Sequence, residues 1–134
     1  MSIKESFRKY LEEAIGGEKA LVAFSAFDEP AKVSVRMNPF KKGRGFEGAS
    51  VAWNEHGRLL QERPRFTLDP CLHGGAYYVQ DSSSMFVGHV FRQILRQEEM
   101  SGRSMVRVLD LCAAPGGKTT DLAASISESF GDRF

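Results

Sequence analysis

The segment from Met105 to Ala124 constrains the fold more than any other. An apolar run, MVRVLDL (Met105 to Leu111), leads into Cys112-Ala113-Ala114-Pro115-Gly116-Gly117-Lys118-Thr119-Thr120 and then helix-forming Asp121-Leu122-Ala123-Ala124. Strand, tight glycine turn and helix in that order open a nucleotide-binding α/β unit. Gly117-Lys118-Thr119 matches the end of the phosphate-cradling pattern G-x-x-x-x-G-K-[ST], but its first glycine falls on Cys112. Cys112 carries a Cβ where the chain must curl, and Pro115 lacks an amide donor, so a phosphate cradle is disfavoured. A GxGxxG fingerprint is also absent. Two readings remain, a plain turn tightened by glycines and a cofactor lying over the strand end, and spacing alone favours neither. For the second, Ala113, Ala114, Gly116 and Gly117 allow close backbone approach, and the helix offers its positive N-terminus to a carboxylate. S-adenosylmethionine carries that carboxylate and no phosphate.

The rest of the chain reads as mixed helix and strand. Ser2 can cap a first helix whose Ile3, Phe7, Leu11, Ala14 and Ile15 recur on one face, ended by Gly16-Gly17. A second helix spans Glu18 to Phe27 and stops at Asp28-Glu29-Pro30. Lys32 to Met37 alternates as a strand with Lys32, Ser34 and Arg36 on one face, closed by Asn38-Pro39. Lys41 to Gly48 is a glycine-rich basic stretch expected as a mobile surface loop. Val51 to Trp53 and Arg58 to Leu60 are expected as short strands around a turn at Asn54 to Gly57, and Phe66 to Tyr78 as an irregular linker. Asp81 with Ser82 to Ser84 starts a helix running through Met85, Phe86, Val90, Ile94 and Leu95 to about Met100.

Charge and cysteine usage narrow the function classes. The 134 residues carry a formal net charge of only +1, yet Lys32 to Arg44 holds Lys32, Arg36, Lys41, Lys42 and Arg44 without an acid. That cluster is the natural place for nucleic-acid phosphates, or else a solvated basic face. Cys71 and Cys112 have no metal-ligand or CxxC spacing and are expected as buried reduced thiols, with no metal site. Apolar runs such as Leu21 to Phe24 are far too short to span a bilayer, and Glu5 and Arg8 interrupt any signal peptide. No membrane association and a cytoplasmic location are expected.

Three ordered stretches carry a resemblance. DLCAAPGGKTTDLA (Asp110 to Ala123), SVRMNP with Lys41 (Ser34 to Pro39) and YYVQDSSSM (Tyr77 to Met85) together resemble the NOL1/NOP2/Sun family of RNA cytosine-5 methyltransferases, the Fmu or Rsm group of bacteria. The resemblance implies that Cys112, Ala113, Ala114, Pro115, Gly116, Gly117 and Lys118 bind S-adenosylmethionine. It also implies that Cys112 is not the nucleophile, because the family's working cysteines lie downstream in Pro-Cys and Thr-Cys contexts that this chain lacks. The implied fold class is α/β: an α+β accessory, RNA-binding domain over residues 1–70, a linker and helix over 71–104, and the first βα unit of a truncated Rossmann-like methyltransferase domain over 105–134. RNA, ribosomal RNA of the small subunit first, is the implied partner, held by Lys32, Arg36, Lys41, Lys42 and Arg44. The fragment alone is expected to be inactive, and a non-catalytic RNA-binding module is the alternative. An apolar strand at 105–111 without neighbours is expected to leave open edges and favour self-association.

Overall fold

Strand β1 (Val33–Met37) is the organising element, because it is paired on both sides and covered on both faces. The computed structural model describes residues 4–43, 45–100, 102 and 105–131. The chain divides into two units, Met1–Ala31 and Lys32–Phe134.

The first unit is a helical hairpin of α1 (Glu5–Ile15) and α2 (Gly17–Ala26). Gly16 serves both helices: at φ 86° its amide closes onto Glu12 O, while its carbonyl accepts from the amide of Ala20. Only a residue at ease with positive φ fills that joint cheaply. Phe7 packs edge-on against Phe27 and the Arg8 guanidinium lies 4.7 Å over the Phe24 ring. Lys4 precedes the first turn without a side-chain cap, and the expected cap Ser2 and apolar Ile3 lie outside the described residues. The face of α1 expected to be buried is not: Phe7 and Ile15 are exposed, and the buried residues of the hairpin are Ala20 and Phe24 of α2.

In the second unit, β1, β2 (Ala49–Val51), β3 (Asn54–Leu60) and β4 (Tyr77–Val79) form an antiparallel sheet of order β2-β3-β1-β4. Val35 lies opposite Arg58 on one side and Val79 on the other. The apolar face of β1 builds the core: Val35, Phe66 and Tyr77 are buried, with Val33, Met37, Phe46, Leu60 and Leu72 packed against them. The period-two reading of β1 holds, but its polar face is not solvated. Ser34 and Arg36 are both buried, because the other face carries α4 (Phe86–Met100) and α5 (Gly117–Phe130), which pack on each other.

Several expectations need correction. The hairpin turns at Ala52-Trp53, and Asn54 to Gly57 lie inside β3, where Gly57 is required: a Cβ there would stand 2.8 Å from Val51 side-chain atoms and 2.9 Å from Met85 Sδ. The stretch expected as an irregular linker holds a 3-10 turn (Phe66–Leu68), the short helix α3 (Pro70–His73) and β4. Asp69 caps α3 through a 2.8 Å bond accepted from the Cys71 amide, and Pro70 suits the first helical position. The sheet therefore runs past residue 70. Residues 105–110 form no strand, since no described strand lies beside them to supply a ladder; Leu109 and Leu111 are 81% and 86% exposed. Cys71 is half-buried and Cys112 exposed, so neither is the sealed thiol expected. Among the described residues, no helix is long and apolar enough to cross a membrane.

Candidate functional site

The glycine turn is shaped by Asp110. Its Oδ1 accepts from the Cys112 amide at 2.8 Å and its Oδ2 accepts from the Thr119 hydroxyl at 2.7 Å, so one carboxylate clasps both ends of the turn. The Thr119 bond first, then the Cys112 amide, hold its pKa below the ordinary carboxylate value. Gly116 follows at φ 109° as the residue preceding α5, and its carbonyl accepts from the amide of Thr120. Tyr78 donates its hydroxyl to Pro115 O at 2.9 Å, fixing the turn to β4.

One face of this turn leaves backbone donors and space unfilled by side chains of the described residues. No side chain caps α5, so its first-turn amides are left for another acceptor. A Cβ added at Gly116 meets nothing within 4 Å among the described residues, so that face is open to them. Gly117 differs: its Cβ would lie 3.2 Å from Tyr78 Cε1 and 3.5 Å from Gln80 Cδ, so its smallness serves packing against β4. Cys112, Ala113, Ala114, Pro115 and Lys118 are exposed or half-exposed around the same turn.

Behind the turn lies a buried polar cluster that the sequence reading did not assemble. Arg36, 4% exposed, donates from Nε to Gln80 Oε1 at 3.1 Å and from Nη2 to Thr120 Oγ1 at 2.6 Å and Gly117 O at 3.2 Å. Asp121, 3% exposed, stands 3.9 Å from Arg36 Nε and accepts from Arg92 Nη1 at 3.3 Å. Arg92 also donates to Ser125 Oγ and Trp53 O, each at 3.0 Å. Asn54 Nδ2 approaches both Asp121 oxygens at 3.4 Å. Desolvation lowers the Arg36 pKa, and Asp121 opposes that shift. Residues of β1, β3, α4 and α5 thus meet at one carboxylate. Gly88 of α4 permits the meeting, because a Cβ there would fall on the Asp121 carboxylate. At the surface, a 2.7 Å contact between His56 Nε2 and Glu128 Oε1 adds a further tie from β3 to α5.

The basic cluster divides accordingly. Lys32 and Lys42 are exposed, and Lys41 is exposed with Nζ donating to Gly74 O at 2.8 Å. Arg36, expected among the phosphate contacts, is turned inward and engaged; Arg44 lies outside the described residues. The signal missed was the company Arg36 keeps: a lone cation alternating with Val33, Val35 and Met37 on a central strand has its other face covered, so it needs an internal acid. Asp121, set between Thr120 and Leu122 in the first half of the helix, was its available counterpart.

Residues 3–82 match the family model for the N-terminal domain of 16S rRNA methyltransferase RsmF. The ribosomal RNA small subunit methyltransferase F of Shewanella denitrificans is 26% identical over 142 residues, covering 96% of this chain and 28% of that protein. The protein of the same name from Vibrio atlanticus is 30% identical over 91% of this chain and 27% of its own length. That from Cronobacter sakazakii is 28% identical with the same coverage. The chain therefore spans little more than a quarter of the length of these relatives.

Proposed function

Because the chain belongs to the family of the N-terminal domain of 16S rRNA methyltransferase RsmF, we propose that it is the N-terminal part of a cytoplasmic, S-adenosylmethionine-dependent RNA cytosine-5 methyltransferase acting on small-subunit ribosomal RNA. The observation that carries this is the turn at Asp110 to Thr119. Its open face at Gly116 and uncapped α5 amides suit the carboxylate end of the cofactor, which supplies the methyl group when bound. Cys112, Ala113, Ala114, Pro115, Gly116 and Lys118 then surround the cofactor, and Gly117 lets the turn approach Tyr78. Asp110 holds the turn in shape, and Arg36 holds α5 behind it.

Cys112 takes no covalent part in this reading; its amide is bound to Asp110 and its role is turn geometry. The thiolate that attacks C6 of cytosine, making C5 able to accept a methyl group, belongs to segments outside these residues. Lys32, Lys41 and Lys42 hold RNA phosphates, joined by Arg44, while Arg36 serves the interior. The accessory, RNA-holding domain extends through β4, and the catalytic domain begins with the segment that leads to α5.

Two measurements test this. Titrating single-stranded RNA into the 134-residue chain at several salt concentrations should give steep salt dependence, and each of Lys41→Ala and Lys42→Ala should reduce the log-log slope by about 0.7. In the full-length enzyme, Gly116→Val should abolish S-adenosylmethionine binding by calorimetry while circular dichroism shows a folded protein. Unchanged cofactor affinity in that variant refutes the cofactor assignment.

A further inference from the structure

A cleft of about 310 Å³ opens between the β1–β4 side of the sheet and α5, lined by Arg36 and Thr120 but by neither Asn54 nor Arg92 among the described residues. We propose that it is a slot for one unstacked nucleobase of the bound RNA strand, with Phe40 as the stacking platform and Lys41 as the cation for the adjoining phosphate. The proposal rests on the RNA-holding reading above and adds a base-recognition site to it.

The chemistry of the walls selects the occupant. Phe40 lines the cleft and is 58% exposed, so its ring offers a flat apolar face to a planar ligand there. The backbone that carries it is held in place. Asn38 Oδ1 accepts from the Phe40 amide at 3.0 Å, and Asn38 Nδ2 donates to Gly75 O at 2.9 Å, which locks the loop to the chain before β4. Tyr78 supplies a second aromatic wall, and Gly75, Ala123 and Ala124 keep the remainder low, leaving room for a planar group. Thr120, Ser127 and Arg36 give the slot a polar edge, and its lining includes no acid among the described residues.

Charge stands at the rim. Lys41 Nζ lies 3.4 Å from where a Cβ on Gly75 would be and spends one of its three donors on Gly74 O, so the ammonium is tethered beside the slot with donors to spare. An aromatic platform next to a tethered cation, over an apolar floor with a polar edge, is how single-stranded nucleic acid is held: the base stacks and the phosphate pairs. The volume is at the lower end of the roughly 300–1,000 Å³ of small-molecule sites, which suits a base and excludes a folded element.

The experiment uses the 134-residue chain and a fluorescein-labelled single-stranded RNA 12-mer, with anisotropy as the readout and a matched series carrying one abasic position at a time. Phe40→Ala, at an exposed site, should weaken binding by about 5- to 150-fold, the range expected for losing one base–aromatic stack, without changing the salt slope. Ala124→Phe, which fills the slot, should do the same. One abasic position should weaken the wild-type chain by a similar factor and leave Phe40→Ala unaffected. If the wild type binds with a steep salt slope but Phe40→Ala and every abasic RNA stay within twofold, the slot is refuted and the RNA-holding reading stands. If the chain shows no salt-dependent RNA binding, both fall.

Discussion

Replacing Asp121 by asparagine tests the buried cluster most directly, because it removes one charge and almost no volume. In the wild type that carboxylate is 3% exposed and faces Arg36 at 3.9 Å and Arg92 at 3.3 Å. The amide takes the nearest counter-charge from both guanidiniums and sets its own NH₂ group among donors, since Asn54 Nδ2 already faces the same oxygens. Breaking a buried pair by removing one partner costs about 3–5 kcal/mol. Arg36 is nearly sealed and pays in full, whereas the Arg92 side chain is 19% exposed and recovers some hydration, so the expected loss is about 3 kcal/mol. That is a large share of the ~5–15 kcal/mol that holds a domain together. Trp53 is the only tryptophan in the chain and sits in the same neighbourhood, its indole donating to Ser82 O and its carbonyl accepting from Arg92. Its fluorescence in a urea titration therefore reports the second unit. With a slope of ~1–3 kcal/mol/M, the midpoint should fall by roughly 1–3 M at unchanged slope. Introduced into an Arg92→Leu background, the same substitution should cost less, since one unpaired cation is already gone. A midpoint within roughly 0.3 M of wild type, at a slope near 2 kcal/mol/M, would mean that the carboxylate carries less than about 1 kcal/mol and that the cluster is not what joins α5 to the sheet.

Gly88→Ala should destabilise by about 1–3 kcal/mol in the same titration, although alanine is the better helix former by up to ~1 kcal/mol, because the methyl falls on the Asp121 carboxylate. Gly57→Ala should behave alike through Val51 and Met85, and unfold without moving the RNA salt slope. The Asp110 clasp should loosen in acid: a carboxyl whose folded pKa lies below its ordinary 3.8 contributes from above that value and is lost as pH falls through the folded one. The Cys112 and Thr119 resonances should therefore titrate together below pH 3.8 by NMR, and should be flat there in Asp110→Asn. Amides of residues 106–111, which join no ladder, should exchange far faster than those of Val33–Met37, and equal protection would indicate that they pair with a second copy.

Local pattern carried the helices and the strands that alternate cleanly. The Gly16 break, the 33–37 strand and the glycine turn before α5 all follow from spacing and from what glycine alone tolerates. What local pattern missed depends on partners far away in sequence. Tyr77–Val79 reads as irregular until β1 is there to pair with it, and the residues 54–57 read as a turn until Val51 and Met85 demand a glycine within a strand. The site divides in the same way. The turn was legible because its constraints are local backbone ones, whereas Arg36 was misplaced because its role is set by Gln80, Thr120 and Asp121, the last 85 positions away. Conversely, the apolar run at 105–111 shows that a strand-like sequence is only a request for neighbours.

The cluster around Asp121 also restricts how this sequence can drift over generations. Arg36, Asn54, Arg92 and Asp121 are drawn from four elements, and the two nearly sealed charges, Arg36 and Asp121, are tolerable in the interior only with such partners. Replacing Asp121 alone takes the shared carboxylate from both arginines, yet a joint change to well-packed apolar residues can be neutral. The cluster therefore predicts that these positions change together, and that a chimera joining β1 of one sequence to α5 of another, in which the set differs, loses stability.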